Sequence, residues 1–209
     1  MLLIKICGMR ESANIEAVAE LKPDLMGFIF YPKSKRYVSD NLNSSLLQKL
    51  MPEIETVGVF VNESLEKVVD ISQKYGFASI QLHGNESPEY CIGLKKNGIK
   101  IMKAFGIHSG FDWNSLMPYQ NVCDYFLFDT STKDYGGSGR KFEWNILDKY
   151  QGLKSFFLSG GIGSEDVDNI LSLEHPNLAG IDINSGFEIE PGLKDVNLLK
   201  DFLNKIKNT

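Results

Sequence analysis

The chain has 209 residues, 43% hydrophobic and 23% charged, which suits one sizeable core and favours one domain. Its net charge of −5 argues against a broad nucleic-acid face, which needs a basic excess, but leaves room for a small local anion site. No run of ~18 apolar residues could span a bilayer, and the N-terminus turns to Gly8-Met9-Arg10 before a secretory core could form, so a cytoplasmic setting is expected.

Short apolar runs rich in β-branched and aromatic residues recur along the chain, and continuous apolarity marks strands covered on both faces. The first, Leu2–Ile6, ends on Cys7 and breaks at Gly8. Ser12–Leu21 follows with helical period, with Ser12 as N-cap and Ala13, Ala17 and Val18 on one face. Strands are then expected at Leu25–Phe30 and Thr56–Val61, a helix at Ser64–Tyr75, a strand at Ser79–Leu82 and a helix at Ser87–Lys96. Ile99–Ala104 reads as the fifth strand, and His108–Tyr119 holds only a short helical stretch between Gly110 and Pro118. Tyr125–Phe128, Ser155–Leu158 and Gly180–Ile183 complete the strands, with helices at Ser164–Leu173 and Lys194–Lys207. Alternating strands and helices leave a closed barrel or an open doubly wound sheet. Eight strands in about 200 residues select the barrel. The expected architecture is α/β, a single-domain (β/α)8 TIM barrel over residues 1–209.

Residues that follow the strands of a barrel share one rim, and that rim carries the site. Here the strand ends bring Cys7, then Tyr31–Tyr37 with Arg36, Asn62, and Gln81 with His83-Gly84-Asn85-Glu86. Strand six runs into Asp129-Thr130-Ser131 and a loop containing Gly139. Strands seven and eight run into Ser159-Gly160-Gly161-Ile162-Gly163 and Asp182-Ile183-Asn184-Ser185-Gly186. Glycine-rich turns after the last two strands are where barrels bind phosphate, on backbone N–H groups at a helix N-terminus. The same glycines also suit plain tight turns. Cys7 and Asp129 form a candidate base and acid. A thiol with an ordinary pKa of ~8.5 needs a modest downward shift to act as a base, and a carboxyl needs an upward one to act as an acid. Cys7 is also open to simple packing at a strand end, and Asp129 to capping a turn. Arg36 is open to a fork onto a substrate carboxylate or to a surface salt bridge. His83 is open to a ligand contact or to a satisfied rim position. The three cysteines have no C-x-x-C spacing and the histidines no ligand spacing, so no metal site is expected, and Cys91 and Cys123 read as structural.

Several stretches recur together in order and spacing: Lys5-Ile6-Cys7-Gly8-Met9-Arg10, Gly27-Phe28-Ile29-Phe30 with Ser34–Ser39, Val57–Asn62, Gln81–Glu86, Phe128-Asp129-Thr130, Gly136–Gly139, Leu158–Ile162, and Asp182–Gly186 with Glu188, Pro191-Gly192 and Lys194-Asp195. From residue 2 to about 195 the chain resembles the phosphoribosylanthranilate isomerases of tryptophan biosynthesis. The resemblance implies an Amadori rearrangement of N-(5-phosphoribosyl)anthranilate to the 1-deoxyribulose derivative, with no cofactor or metal. It makes Asp129 the acid that protonates the ring oxygen and Cys7 the base that removes the C2′ proton. Arg36 matches the residue that binds the anthranilate. The turns at Gly160-Gly161 and Asn184-Ser185-Gly186, with Gly139, match the phosphate site. His83 and Asp182 fall in the matched rim and are expected to contact the substrate. The expected partner is thus a small phosphorylated molecule, with no nucleic acid or membrane, bound by a monomer or homodimer. The chain departs from the family's usual pattern at Lys35, Asn85 and Phe187. The other readings are another phosphate-binding barrel, such as the histidine-pathway ProFAR isomerase, which uses two aspartates, and a non-catalytic ligand-binding barrel.

Overall fold

A computed structural model describes residues 2–38, 42–130 and 144–207. β1 (Leu3–Ile6) lies between β2 (Leu25–Ile29) and β8 (Leu178–Ile183), and the pairing with β8 closes the barrel. Lys5 therefore stands opposite Leu25 on one side and Asp182 on the other. Between them run β3 (Glu55–Phe60), β4 (Ser79–Leu82), β5 (Lys100–Ile107), β6 (Tyr125–Thr130) and β7 (Phe156–Leu158), every neighbouring pair parallel.

Parallel neighbours need long crossovers. The first four are helical: α1 (Ser12–Ala19), α2 (Ser44–Leu50), α3 (Leu65–Tyr75) and α4 (Pro88–Lys96). Serine side chains cap the last two. Ser64 Oγ accepts from Lys67 N and Ser87 Oγ from Tyr90 N, each at 3.3 Å, and Pro88 stands in the first helical position, where its missing N–H removes no bond. On the far side of the barrel the described parts of the crossovers hold 3₁₀ turns, Trp113–Tyr119 and Trp144–Lys149, and aromatic rings take over the packing. Phe128 packs on Phe156 at 4.7 Å, on Tyr150 at 5.1 Å and on Trp113 at 5.5 Å between ring centres. After β7 a 3₁₀ turn (Ser164–Asp166) leads into α5 (Val167–Leu171). After β8 come a 3₁₀ turn (Ser185–Phe187), the hairpin β9 (Glu188–Glu190) and β10 (Leu193–Lys194), and α6 (Val196–Lys207).

The eight strands stand where the sequence placed them, and the differences lie in the crossovers. α2 was not foreseen; it is short, and Asn43 Oδ1 starts it by accepting from Ser45 N (3.1 Å) and Leu46 N (3.2 Å). Ser12 is the first helical residue of α1, not its cap, and Glu11 takes the cap position without a side-chain bond. The single helix expected at Ser164–Leu173 is split, because Asp166 turns back to accept from Gly163 N at 2.7 Å. The last helix starts two residues late because Lys194 belongs to β10.

Side chains alternate along each strand, giving two hydrophobic layers. One lies between strands and helices. The other is the barrel interior, built on Leu25, Val57, Met102, Ala104, Leu127 and Phe157 with Leu3 against them. Continuing along β1 with the same period, Leu3 is followed by Lys5 and then Cys7, so the interior ends on an ammonium and a thiol.

Candidate active site

Cys7 is fixed by backbone bonds on both sides. Its N–H donates to Ile183 O at 2.9 Å, and Gly8 N and Met9 N both donate to Gly27 O at 3.0 Å. Gly8 takes φ +79, and a Cβ there would lie 2.6 Å from Asn184 Oδ1 and 2.8 Å from the Arg36 side chain, so three loops meet where only glycine fits. The thiol is only 4% exposed. Lys5 is wholly buried, its Nζ 2.9 Å from Asp182 Oδ1, and it crowds the same space beside Gly27 as the Cys7 sulfur. The downward shift expected for Cys7 is not found. Burial pushes the thiol up, and the neighbouring Lys5 ammonium offsets only part of this. For Lys5 burial opposes the charge, but Asp182 and Cys7 outweigh it and raise its proton affinity above the ordinary value.

The opposite wall is built from β4 and β6. His83 Nε2 is 3.3 Å from Asp129 Oδ2, and Gln81 Nε2 is 3.2 Å from His83 Nδ1. With the Gln81 amide donating, Nδ1 accepts, so the proton of a neutral imidazole sits on Nε2 and faces Asp129. Gln81 is 1% exposed, and its Oε1 is buried without a hydrogen-bond partner. His83 therefore touches the candidate acid.

Between the walls lies a cleft that opens at the mouth of the barrel. It is lined by Cys7, His83, Asp129, Gly160, Gly161, Asp182, Asn184 and Ser185 together with Gln81. Gly160 and Gly161 have φ values of +93 and +69, the left-handed conformations a backbone anion nest requires. Gly186 does not line the cleft. A Cβ there would run into the carbonyl oxygen of Ile162, so this glycine packs the turn after β8 against the turn after β7. Gly139 lies outside the described residues.

Arg36 also stands back from the cleft lining. Its guanidinium forks onto Glu188, with Nε at 2.9 and 3.0 Å and Nη2 at 2.6 Å. Lys194 Nζ, fully buried, donates to Glu188 Oε1 at 2.9 Å and to Asn184 Oδ1 at 2.6 Å. Burial alone would raise the Glu188 carboxyl, but the Arg36 bonds and Lys194 charge outweigh it and hold it below its ordinary value. The three departures from the family's usual pattern have local explanations. Phe187 packs on Phe202 at 4.8 Å, Asn85 serves through its backbone N–H to Asn62 Oδ1 (2.6 Å), and Lys35 accepts from Arg10 Nη1 (3.0 Å) through its carbonyl.

Lys5, Glu188 and Lys194 are parts of the site that the strand-end reading did not name, and Gln81, which it placed on the rim, was given no role. One of them left a clear signal: Lys5 is a charge inside an apolar run, two residues before Cys7 and so on the same face of the strand. The ion pairs of Glu188 and Lys194 depend on a hairpin that the sequence read as a loop and a helix start.

Fold and site together define a barrel enzyme with a thiol and a carboxylate facing across one mouth beside glycine-rich turns. The family of N-(5'-phosphoribosyl)anthranilate (PRA) isomerases matches residues 4–205. An N-(5'-phosphoribosyl)anthranilate isomerase from Parabacteroides distasonis is 47% identical over 208 residues, covering 98% of this chain and 93% of the relative. One from Phocaeicola vulgatus is 46% identical, covering 99% and 98%. The crystal structure of phosphoribosyl anthranilate isomerase from Thermotoga maritima, 35% identical, superposes over 100% of both chains with a TM-score of 0.89. A phosphoribosyl anthranilate isomerase in complex with reduced 1-(o-carboxyphenylamino)-1-deoxyribulose 5-phosphate, 30% identical, covers 100% of both chains with a TM-score of 0.82. The chain belongs to the N-(5'-phosphoribosyl)anthranilate isomerase family and is an enzyme of the isomerase class.

Proposed function

We propose that the chain isomerises N-(5'-phosphoribosyl)anthranilate in tryptophan biosynthesis with Asp129 as general acid and Cys7 as general base. The observation that carries this is the placement of the two groups on the β1 and β6 sides of one cleft, beside the turns after β7 and β8. The family relative crystallised with a reduced carboxyphenylamino-deoxyribulose phosphate binds a molecule with an anion at each end. Here the phosphate would sit on the backbone at Gly160-Gly161 and Asn184-Ser185. Asp182 and His83 would face the sugar, and Arg36 the aryl carboxylate.

The chemistry is a proton relocation. Asp129 gives its proton to the ring oxygen as the C1′–O bond breaks, leaving an open-chain iminium. Cys7, as thiolate, takes the C2′ proton, and the electron pair of that C–H bond neutralises the iminium to give an enolamine. Proton return to C1′ and loss of the enol proton yield the ketone, so atoms and charge balance without an electron carrier. The phosphate, remote from C1′ and C2′, supplies binding energy that orients them.

The barrel acts as one catalytic domain, in a cytoplasmic setting, as monomer or homodimer; among the described residues no helix is long and apolar enough to cross a membrane. A solved relative from Thermotoga maritima, 31% identical with a TM-score of 0.80, is described as monomers generated from a dimeric enzyme. Steady-state kinetics on freshly generated phosphoribosylanthranilate test the assignment. Cys7→Ala and Asp129→Asn should each lose at least ~10²-fold in kcat with KM little changed. Near-native turnover of either variant would remove that residue from its role. Gly161→Val should raise KM, and an unchanged value would take the phosphate off that turn.

A further inference from the structure

Lys5 is an ammonium where a barrel strand otherwise carries apolar side chains. It stands on β1 between Leu3, which packs into the interior cluster, and Cys7, which lines the cleft. Its Nζ ion-pairs with Asp182 Oδ1 at 2.9 Å, with the two side chains 0% and 5% exposed. The positive charge of the same amine acts on the Cys7 thiol. A Cβ built on Gly27 would lie 2.7 Å from Cys7 Sγ and 3.1 Å from Lys5 Nζ, so both groups press into the space that glycine leaves open. Stability does not account for such a pair, since well-packed apolar residues in place of a buried ion pair are often neutral or stabilising. What an apolar pair could not supply is a fixed positive charge against the sulfur.

We propose that Lys5 and Asp182 are positioning residues for the proton transfer at C2′, Lys5 favouring the thiolate form of Cys7 against its burial and Asp182 holding Lys5 in place while opposing the thiolate through its own negative charge. The two residues thus act on one thiol with opposite signs. Other charged groups among the described residues act on it as well. Lys194 on β10 favours the thiolate. Asp129 on β6 and His83 after β4 reach it through their effect on Asp182. Arg36, after β2, is neutralised by Glu188. β2 itself presents Gly27, which has no charge. Deprotonation of the thiol before turnover releases its proton to solvent, and the thiolate is then free to accept the proton from C2′. Lys5 keeps its own protons throughout, so it stabilises a charge without entering the balance of the reaction.

The inference rests on Cys7 being the base, and its test works on the free full-length protein so that the two can fail separately. The pH dependence of iodoacetamide alkylation at Cys7, read on the Cys7 peptide by mass spectrometry, reports thiolate formation directly. Lys5→Met should move the midpoint up by about one pH unit or more and slow alkylation at neutral pH about tenfold. Asp182→Asn, which keeps the shape and removes the negative charge, should move the midpoint down and speed alkylation. The rising limb of the pH–kcat/KM profile should move the same way in each variant. Circular dichroism checks that both variants fold, and if Lys5→Met does not, the sign of the Asp182→Asn shift decides alone. Shifts of the same sign, or no downward shift in Asp182→Asn, overturn the proposal. If the alkylation shifts have the expected opposite signs but Cys7→Ala still turns over, the base assignment falls and the charge coupling stands.

Discussion

The two walls of the barrel mouth are built on different physics. On the β1–β8 side Cys7 and Asp182 are 4% and 5% exposed and rest on a buried ammonium. On the β4–β6 side His83 and Asp129 are 24% and 16% exposed, and they meet through the imidazole Nε2 while Gln81 contacts Nδ1. A thiol that must accept a proton from carbon gains from a dry wall, where a fixed charge acts at low dielectric. A carboxyl that must donate a proton and be recharged gains from access to water. The mouth thus separates base from acid by environment as well as by position.

The largest effect outside the two reacting groups should come from Gly27→Ala, which attacks the dry wall alone. Its Cβ would collide with Cys7 Sγ and crowd Lys5 Nζ. We expect kcat to fall about 10²-fold, the size of a small displacement of a reacting group, with a stability loss of about 1–3 kcal/mol from overpacking. Equal loss of activity in Gly58→Ala, where the crowding is against Phe77 and Phe60, would show that overpacking anywhere in the barrel suffices. Next comes His83→Ala on the wetter wall. Losing the imidazole contact that holds Asp129, about 1.5 kcal/mol, should lower kcat about tenfold and leave the alkylation profile of Cys7 unmoved; a changed profile would mean the walls are not independent.

The smallest effect should follow Glu188→Gln, behind Arg36. KM should rise a few-fold with kcat nearly constant, because the arginine fork keeps its charge and loses its anchor. A pH signature accompanies it. The carboxyl of Glu188 is held below its ordinary value in the folded protein, so its contribution is complete above the unfolded value of ~4.3 and is lost as pH falls through the lower folded value. Thermal melts from pH 7 down to 3 should therefore fall more steeply for the native protein than for Glu188→Gln, and parallel curves would remove Glu188 from the acid response.

Much of this was legible in the residues themselves. The strands announce themselves as apolar runs, and Ser64 and Ser87 cap the helices they precede. The ends of the strands name Cys7, Asp129 and the Gly160-Gly161 turn before any packing is known. The crossovers were less legible. α2 is only seven residues long, too short for a helical period to stand out. Asp166 breaks the helix after β7 through a bond to a backbone N–H that no spacing rule flags.

The chain by itself thus determines the barrel and the chemistry of its rim, because strand periodicity and the position of a residue at a strand end are local properties. Tertiary structure alone decided the charge environment. Lys5 and Asp182 are 177 residues apart, and Arg36 and Glu188 are 152 apart. They meet only because the last strand closes on the first. Whether Cys7 is an exposed thiol or a buried one held by an ammonium was therefore fixed by closure of the barrel, where burial and distant charges act together.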